Sequence, residues 1–173
     1  MAFRTLDDLG DLTGKRALVR VDLNVPMAEG RVTDLTRMHA LAPTVNELSA
    51  KGAKVLLLAH FGRPKGQKHS EMSVSMTLDA LQEVLGREIM FVPEIYGDVV
   101  AQSLSILSNG DVALLENSRF WAGEEKNDPE LAKAIAANGD LYVNDAFSAA
   151  HRAHVTTEGL AHLLPSYAGR SME

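Results

Sequence analysis

The chain has 173 residues, 17 Lys and Arg against 23 Asp and Glu, and no Cys, for a formal net charge of -6. That length is about one domain and excludes no fold by size; the missing Cys excludes disulfides and thiolate metal sites and fits a reducing compartment, so a cytoplasmic location is expected. No apolar run approaches the ~20 residues of a membrane span, the N-terminus lacks a signal-peptide core, and the acidic balance argues against a nucleic-acid surface or an anionic membrane.

Apolar runs of strand length alternate with helical periodicity along the chain. The first predicted strand is 16–22 (RALVRVD). Met38, Leu41, Val45 and Leu48 then line one face of a helix whose expected N-cap is Thr33, with Pro43 as a possible kink. A fully apolar strand, 55–59, follows Gly52, and an irregular stretch spans about 61–72. A helix over 73–85 ending at Gly86 leads to a strand at 89–92, and a weaker helix covers 99–107. Gly110-Asp111 opens a strand at 112–115, Asp128-Pro129 caps a helix over 130–137, and 141–143 is the last predicted strand. Five strands separated by helices require parallel crossovers, so the expected fold is a single α/β domain over 1–173. It is doubly wound, with a mostly parallel sheet covered on both faces, a Rossmann-like three-layer αβα arrangement.

Charged and polar residues gather where these buried strands end. Asp22 and Asn24 follow the first, His60 and Arg63 the second, Arg119 the 112–115 strand and Arg152 the last, with Arg37 at a helix start. Ligands of open α/β sheets bind outside the carboxyl ends of the strands, so the pattern predicts a crevice for a small, multiply charged anion. Singly, each residue has a structural alternative. Asp22-Leu23-Asn24-Val25-Pro26 reads equally as a turn, Arg37 as a surface ion pair, His60 as a satisfied structural imidazole and Arg119 as a guanidinium stacked beside Phe120-Trp121. His151 and His154 lack a neighbouring carboxylate or Cys, so no metal site is expected. No G-x-G-x-x-G or P-loop spacing occurs, and GRPKGQK does not supply one, which disfavours a dinucleotide-binding domain. Together the guanidinium groups suit phosphate and carboxylate oxygens, while Asp22 and Asn24 suit a hydroxyl, the combination a phosphorylated hydroxy acid presents.

At these residues the chain resembles the phosphoglycerate kinase family. VRVDLNVP (19–26), TDLTR (33–37), HFGRPKG (60–66), LLENSRFWAGEEKNDPELAK (114–133) and DLYVNDAFSAAHRAHVTTEGL (140–160) are similar to family blocks in the family's order. The resemblance implies reversible phosphoryl transfer between 1,3-bisphosphoglycerate and MgADP in glycolysis, giving 3-phosphoglycerate and MgATP, by a cytoplasmic monomer. This chain resembles the N-terminal, acid-binding half. By that resemblance Asp22 and Asn24 hold the hydroxyl and carboxylate end of the substrate, and Leu23 between them is also substrate-binding. His60, Arg63, Arg119 and Arg152 surround its 3-phosphate, Phe61 and Gly62 are counted with them as substrate-binding, and Arg37 is the catalytic arginine that steadies the transferring phosphoryl group. Phe61 and Ser148 stand where Leu or Met and Gly are more usual in the family. The family continues beyond the match of residue 173 into a nucleotide domain that holds MgATP or MgADP. This chain is therefore expected to bind no cofactor itself and not to turn over alone, the competing reading being a free-standing anion-binding module.

Overall fold

In the computed structural model, residues 4–173 are described. Six strands form one parallel sheet: β1 (Arg16–Arg20), β4 (Lys54–Leu58), β5 (Met90–Val92), β6 (Val112–Leu115), β7 (Leu141–Asn144) and β8 (Ser166–Ala168), in the spatial order β5-β6-β4-β1-β7-β8. Register is regular across the centre, where Ala17 faces Val55 on one side and Leu141 on the other. A two-stranded hairpin, β2 (Met27–Ala28) and β3 (Arg31–Val32), stands apart. Its two-residue turn, Glu29-Gly30, has φ of 52° and 74°. Both turn residues therefore lie in the left-handed region that a tight hairpin requires and that Gly30 enters without strain.

The strands are buried on both sides because side chains alternate across a pleated strand. Ala17, Val19, Val55, Leu57 and Leu114 meet Met38, Leu41, Val45 and Leu48 of α1 (Thr36–Ala50) and Leu81 of α2 (Leu78–Leu85). Leu18, Leu56, Leu58, Ala113 and Leu115 face the opposite way. They meet Val100 and Leu104 of α3 (Asp98–Ile106), Leu131 and Ile135 of α4 (Pro129–Ala136) and Leu160 of α5 (Leu160–Leu163). Each such Leu, fully buried, contributes about 1.5–3 kcal/mol. The three-layer, doubly wound expectation holds.

Several boundaries differ from the sequence expectation for identifiable reasons. Thr33 does not cap α1; the N-cap position is Leu35, which makes no side-chain cap bond, and Asp34 before it accepts Thr36 N–H at 2.9 Å and Thr36 Oγ1–H at 2.6 Å. The helix runs on through Pro43. The expected 73–85 helix is α-helical only from Leu78, as α2; its first part is a 3₁₀ turn, Val74–Thr77, and another, Ser70–Met72, precedes it. Ser73 Oγ accepts Ser75 N–H and Thr77 Oγ1 donates to Val74 O, side-chain bonds that compete with an α-helical ladder. The last strand is β8 rather than β7, and it sits at the sheet edge, with Ala168 N–H bonded to Arg4 O and Thr5 bridged to Ala168.

The topology leaves crevices at two places. β1 and β4 lead into helices of one face, whereas β6 and β7, their outer neighbours, lead into helices of the other. Outgoing chain therefore parts between β6 and β4 and again between β1 and β7, the switch points at which open α/β sheets bind ligands.

Candidate active site

Four loops meet at these carboxyl ends. After β1, Asp22 Oδ1 accepts Asn24 N–H at 3.0 Å, which turns the chain so that Asn24 Oδ1 accepts Gly62 N–H, also at 3.0 Å, from the loop after β4. Arg37 Nη1 donates to Asp22 Oδ1 at 3.1 Å and to Asn24 O at 2.8 Å, and Ser148 Oγ from the loop after β7 donates to Asp22 Oδ2 at 2.6 Å. Arg37 is thus ligated by the β1 loop rather than free. Its position at a helix start, unfavourable to a cation on dipole grounds, is offset by the Asp22 carboxylate.

The second cluster is basic and deeper. Arg20 at the end of β1 is 1% exposed and donates from Nη1 to Val21 O at 2.7 Å and from Nη2 to His60 Nδ1 at 2.6 Å. A guanidinium has no acceptor, so His60 Nδ1 must accept and the imidazole carries its proton on Nε2. Burial, then the charges of Arg20, Arg119 and Arg152, push His60 down to about 2, and the ring is neutral at physiological pH. Arg119, on the turn after β6, is 4% exposed; its Nε and Nη2 have no hydrogen-bond partner among the described residues. Burial pulls its guanidinium below the ordinary value while the Glu125 charge opposes the shift. Arg152 and Arg63 are exposed, the former close enough to act on Arg20, His60 and Arg119.

Leu23 is fully buried in the core and half-buried Phe61 packs against that core, so the Leu23 side chain does not reach the crevice. The remaining expected residues divide between the two clusters: Asp22, Asn24, Arg37 and Gly62 in the hydrogen-bonded one, His60, Arg119 and Arg152 in the basic one. Arg63 follows Gly62 on the loop between them. Sequence reasoning missed Arg20, although a charged residue inside the apolar run ALVRV was a signal. It named Ser148 only as a departure from the family's usual Gly, and it missed the buried counter-charge Glu124, which accepts Thr156 N–H at 2.8 Å and Thr156 Oγ1–H at 2.6 Å and stabilises the Arg20 cation. Elsewhere a groove of about 290 Å³ is lined by Tyr96, Trp121 and Leu131 with Asp128 and Glu130, an apolar and acidic wall unsuited to an anion.

A family model described as phosphoglycerate kinase matches residues 6–173. The chain belongs to the phosphoglycerate kinase family. It is 66% identical over 173 residues to a phosphoglycerate kinase of Zymomonas mobilis, covering 100% of this chain and 44% of that protein. It is 62% identical over 172 residues to one from Sphingopyxis alaskensis, of which it covers 43%. Solved phosphoglycerate kinases superpose closely. That of Pyrococcus horikoshii OT3 gives a TM-score of 0.87 at 33% identity, covering 99% of this chain and 43% of that one. That of Coxiella burnetii gives 0.86 at 33% identity, covering 99% and 42%. The chain therefore spans less than half the length of these family members.

Proposed function

We propose that the basic crevice binds 3-phosphoglycerate and that the chain serves as the acid-substrate half of a phosphoglycerate kinase, which interconverts 3-phosphoglycerate and ATP with 1,3-bisphosphoglycerate and ADP. The observation that carries the reading is that the buried Arg119 Nε and Nη2 have no partner among the described residues, beside a neutral His60 whose Nε2–H is left to donate. A buried cation with unused donors is costly unless an anion completes it. Arg119, Arg152 and Arg63 hold the 3-phosphate by charge-assisted bonds, and His60 adds a neutral donor. Asp22 and Asn24, already fixed by Ser148 and Gly62, take the hydroxyl and carboxylate end.

Arg37 steadies the phosphoryl group in transfer, exchanging its Asp22 partner for that group. Phosphoryl transfer depends on positioning and charge neutralisation more than on a nucleophile of the protein, which suits a site of cations. Magnesium ATP or ADP is held, in this proposal, by the part of the relatives that the chain does not span, so residues 1–173 alone bind the acid without turning over. A cytoplasmic monomer is part of the same reading, and no described helix is long and apolar enough to cross a membrane.

Calorimetric titration of the chain with 3-phosphoglycerate at low and high salt, with MgATP as control, tests the site. Salt-sensitive binding of the acid alone is expected; a folded chain that ignores 3-phosphoglycerate contradicts it. Turnover by the isolated chain in a coupled assay would sink the claim of inactivity.

A further inference from the structure

Asn117 is fully buried directly after β6 and uses its side chain at three places. Nδ2 donates to Phe61 O at 2.7 Å and to Met72 O at 2.8 Å, and Oδ1 accepts Arg119 N–H at 3.0 Å. The orientation is dictated by chemistry, since two carbonyls can only accept and a backbone N–H can only donate. Phe61 and Met72 are the two ends of the segment that carries Gly62 and Arg63. One side-chain amide therefore closes the neck of a compact Ω-type loop. The same loop is tied again to the Arg119 turn by Gly66 N–H, which donates to Arg119 O at 3.0 Å. Glu116 braces the arrangement from behind, accepting Asn117 N–H at 2.8 Å, Val74 N–H at 3.1 Å and Ser73 Oγ–H.

We propose that Asn117 is a positioning residue for the anion: by closing the 61–72 loop onto the Arg119 turn it fixes where the Arg63 guanidinium stands relative to that of Arg119. Asn117 touches no ligand and acts through Arg63. Free, a loop of this length would have to be ordered by the ligand; held at its neck, it presents Arg63 already placed, and the cost of ordering does not fall on binding. The inference rests on the anion-site reading above and adds the element that pre-organises it.

The test is a double-mutant cycle on the affinity of this chain for 3-phosphoglycerate, using Asn117→Ala, Asn117→Asp, Arg63→Ala and the pairs, with Arg119→Ala as a control on the site itself. Each Asn117 variant is expected to weaken binding roughly tenfold. Added to Arg63→Ala, the same substitution should cost much less, because the arginine it positions is gone. A general structural lesion would instead multiply with Arg63→Ala, and that outcome, or unchanged affinity in a folded Asn117 variant, overturns the proposal. If Arg63→Ala and Arg119→Ala themselves bind normally, the anion-site reading fails instead. Should the Asn117 variants not fold, nuclear magnetic resonance of the unmodified chain decides. Slow exchange of the Asn117 side-chain amide protons and protected Gly62 and Gly66 amides in the absence of ligand are expected, and free exchange of all of these contradicts the closed neck.

Discussion

Lowering the pH from 7 to 5 probes the neutrality of His60. The imidazole has an ordinary value of 6.5 and is held at about 2 in the folded chain, by burial first and by Arg20, Arg119 and Arg152 next. Below 6.5 the unfolded chain binds a proton at this residue that the folded chain refuses. The stability His60 confers is therefore complete above that value and drains away as the pH falls toward 2. Over the 1.5 units between 6.5 and 5, at about 1.4 kcal/mol per unit, the loss is about 2 kcal/mol, a sizeable share of the 5–15 kcal/mol typical of a domain. Burial also lowers His154, which adds loss in the same direction, and raises Asp145, which opposes it. Both remain in a His60→Gln variant, so the difference between the two proteins isolates the imidazole. Urea unfolding at pH 7, 6 and 5 should show the parent losing about 2 kcal/mol more than the variant. Parallel stability curves, or a His60 ring resonance titrating near its ordinary value, would refute the reasoning.

Three further outcomes are expected. Arg119→Met keeps apolar volume while removing a buried cation with unused donors, so chemical denaturation should shift by no more than about 1 kcal/mol while 3-phosphoglycerate affinity collapses; retained affinity would remove Arg119 from the site. Leu57→Ala, at a fully buried position of the central strand, should cost about 2–5 kcal/mol in a urea melt without altering the salt dependence of anion binding. Gly169→Ala places a methyl group against the Asp145 carboxylate, which is itself held by Thr44 and Ser171, and is expected to lower the melting temperature through roughly 1–3 kcal/mol of overpacking; an unchanged melting temperature would show that the 169–171 turn yields freely.

Local signals located the sheet well and the site less well. β1, β4, β6 and β7 are apolar runs, and the Asp128-Pro129 pair that opens α4 carries its own capping chemistry, with Asp128 Oδ1 accepting Glu130 N–H. The β2–β3 hairpin lacked the usual Asn-Gly or Asp-Gly turn, and its strands are two residues long. β8 reads Ser-Tyr-Ala and becomes a strand only because β7 offers it an edge. Strand-end logic pointed to Asp22, Asn24, His60 and Arg119 because each lies just beyond a legible strand, and the fold does bring them to the carboxyl ends of the sheet. Arg20 escaped it by lying inside one. Its importance depends on a partner, His60, brought alongside by the pairing of β1 with β4. The role of Ser148 escaped for a similar reason: its bond to Asp22 joins residues 126 positions apart.

The seam formed by Arg4, Thr5 and Ala168 has a consequence for synthesis. Arg4 and Thr5 are made more than 160 residues before Ala168, their backbone partner. β1, at the middle of the sheet, likewise waits for β7 to cover its second side. Until then the nascent chain carries an unpaired central strand with both edges open in turn, the kind of surface to which other strands add. Contacts of such long sequence separation also slow folding. A stall or slow codon run placed before residue 141 should therefore harm yield more than one placed after residue 168.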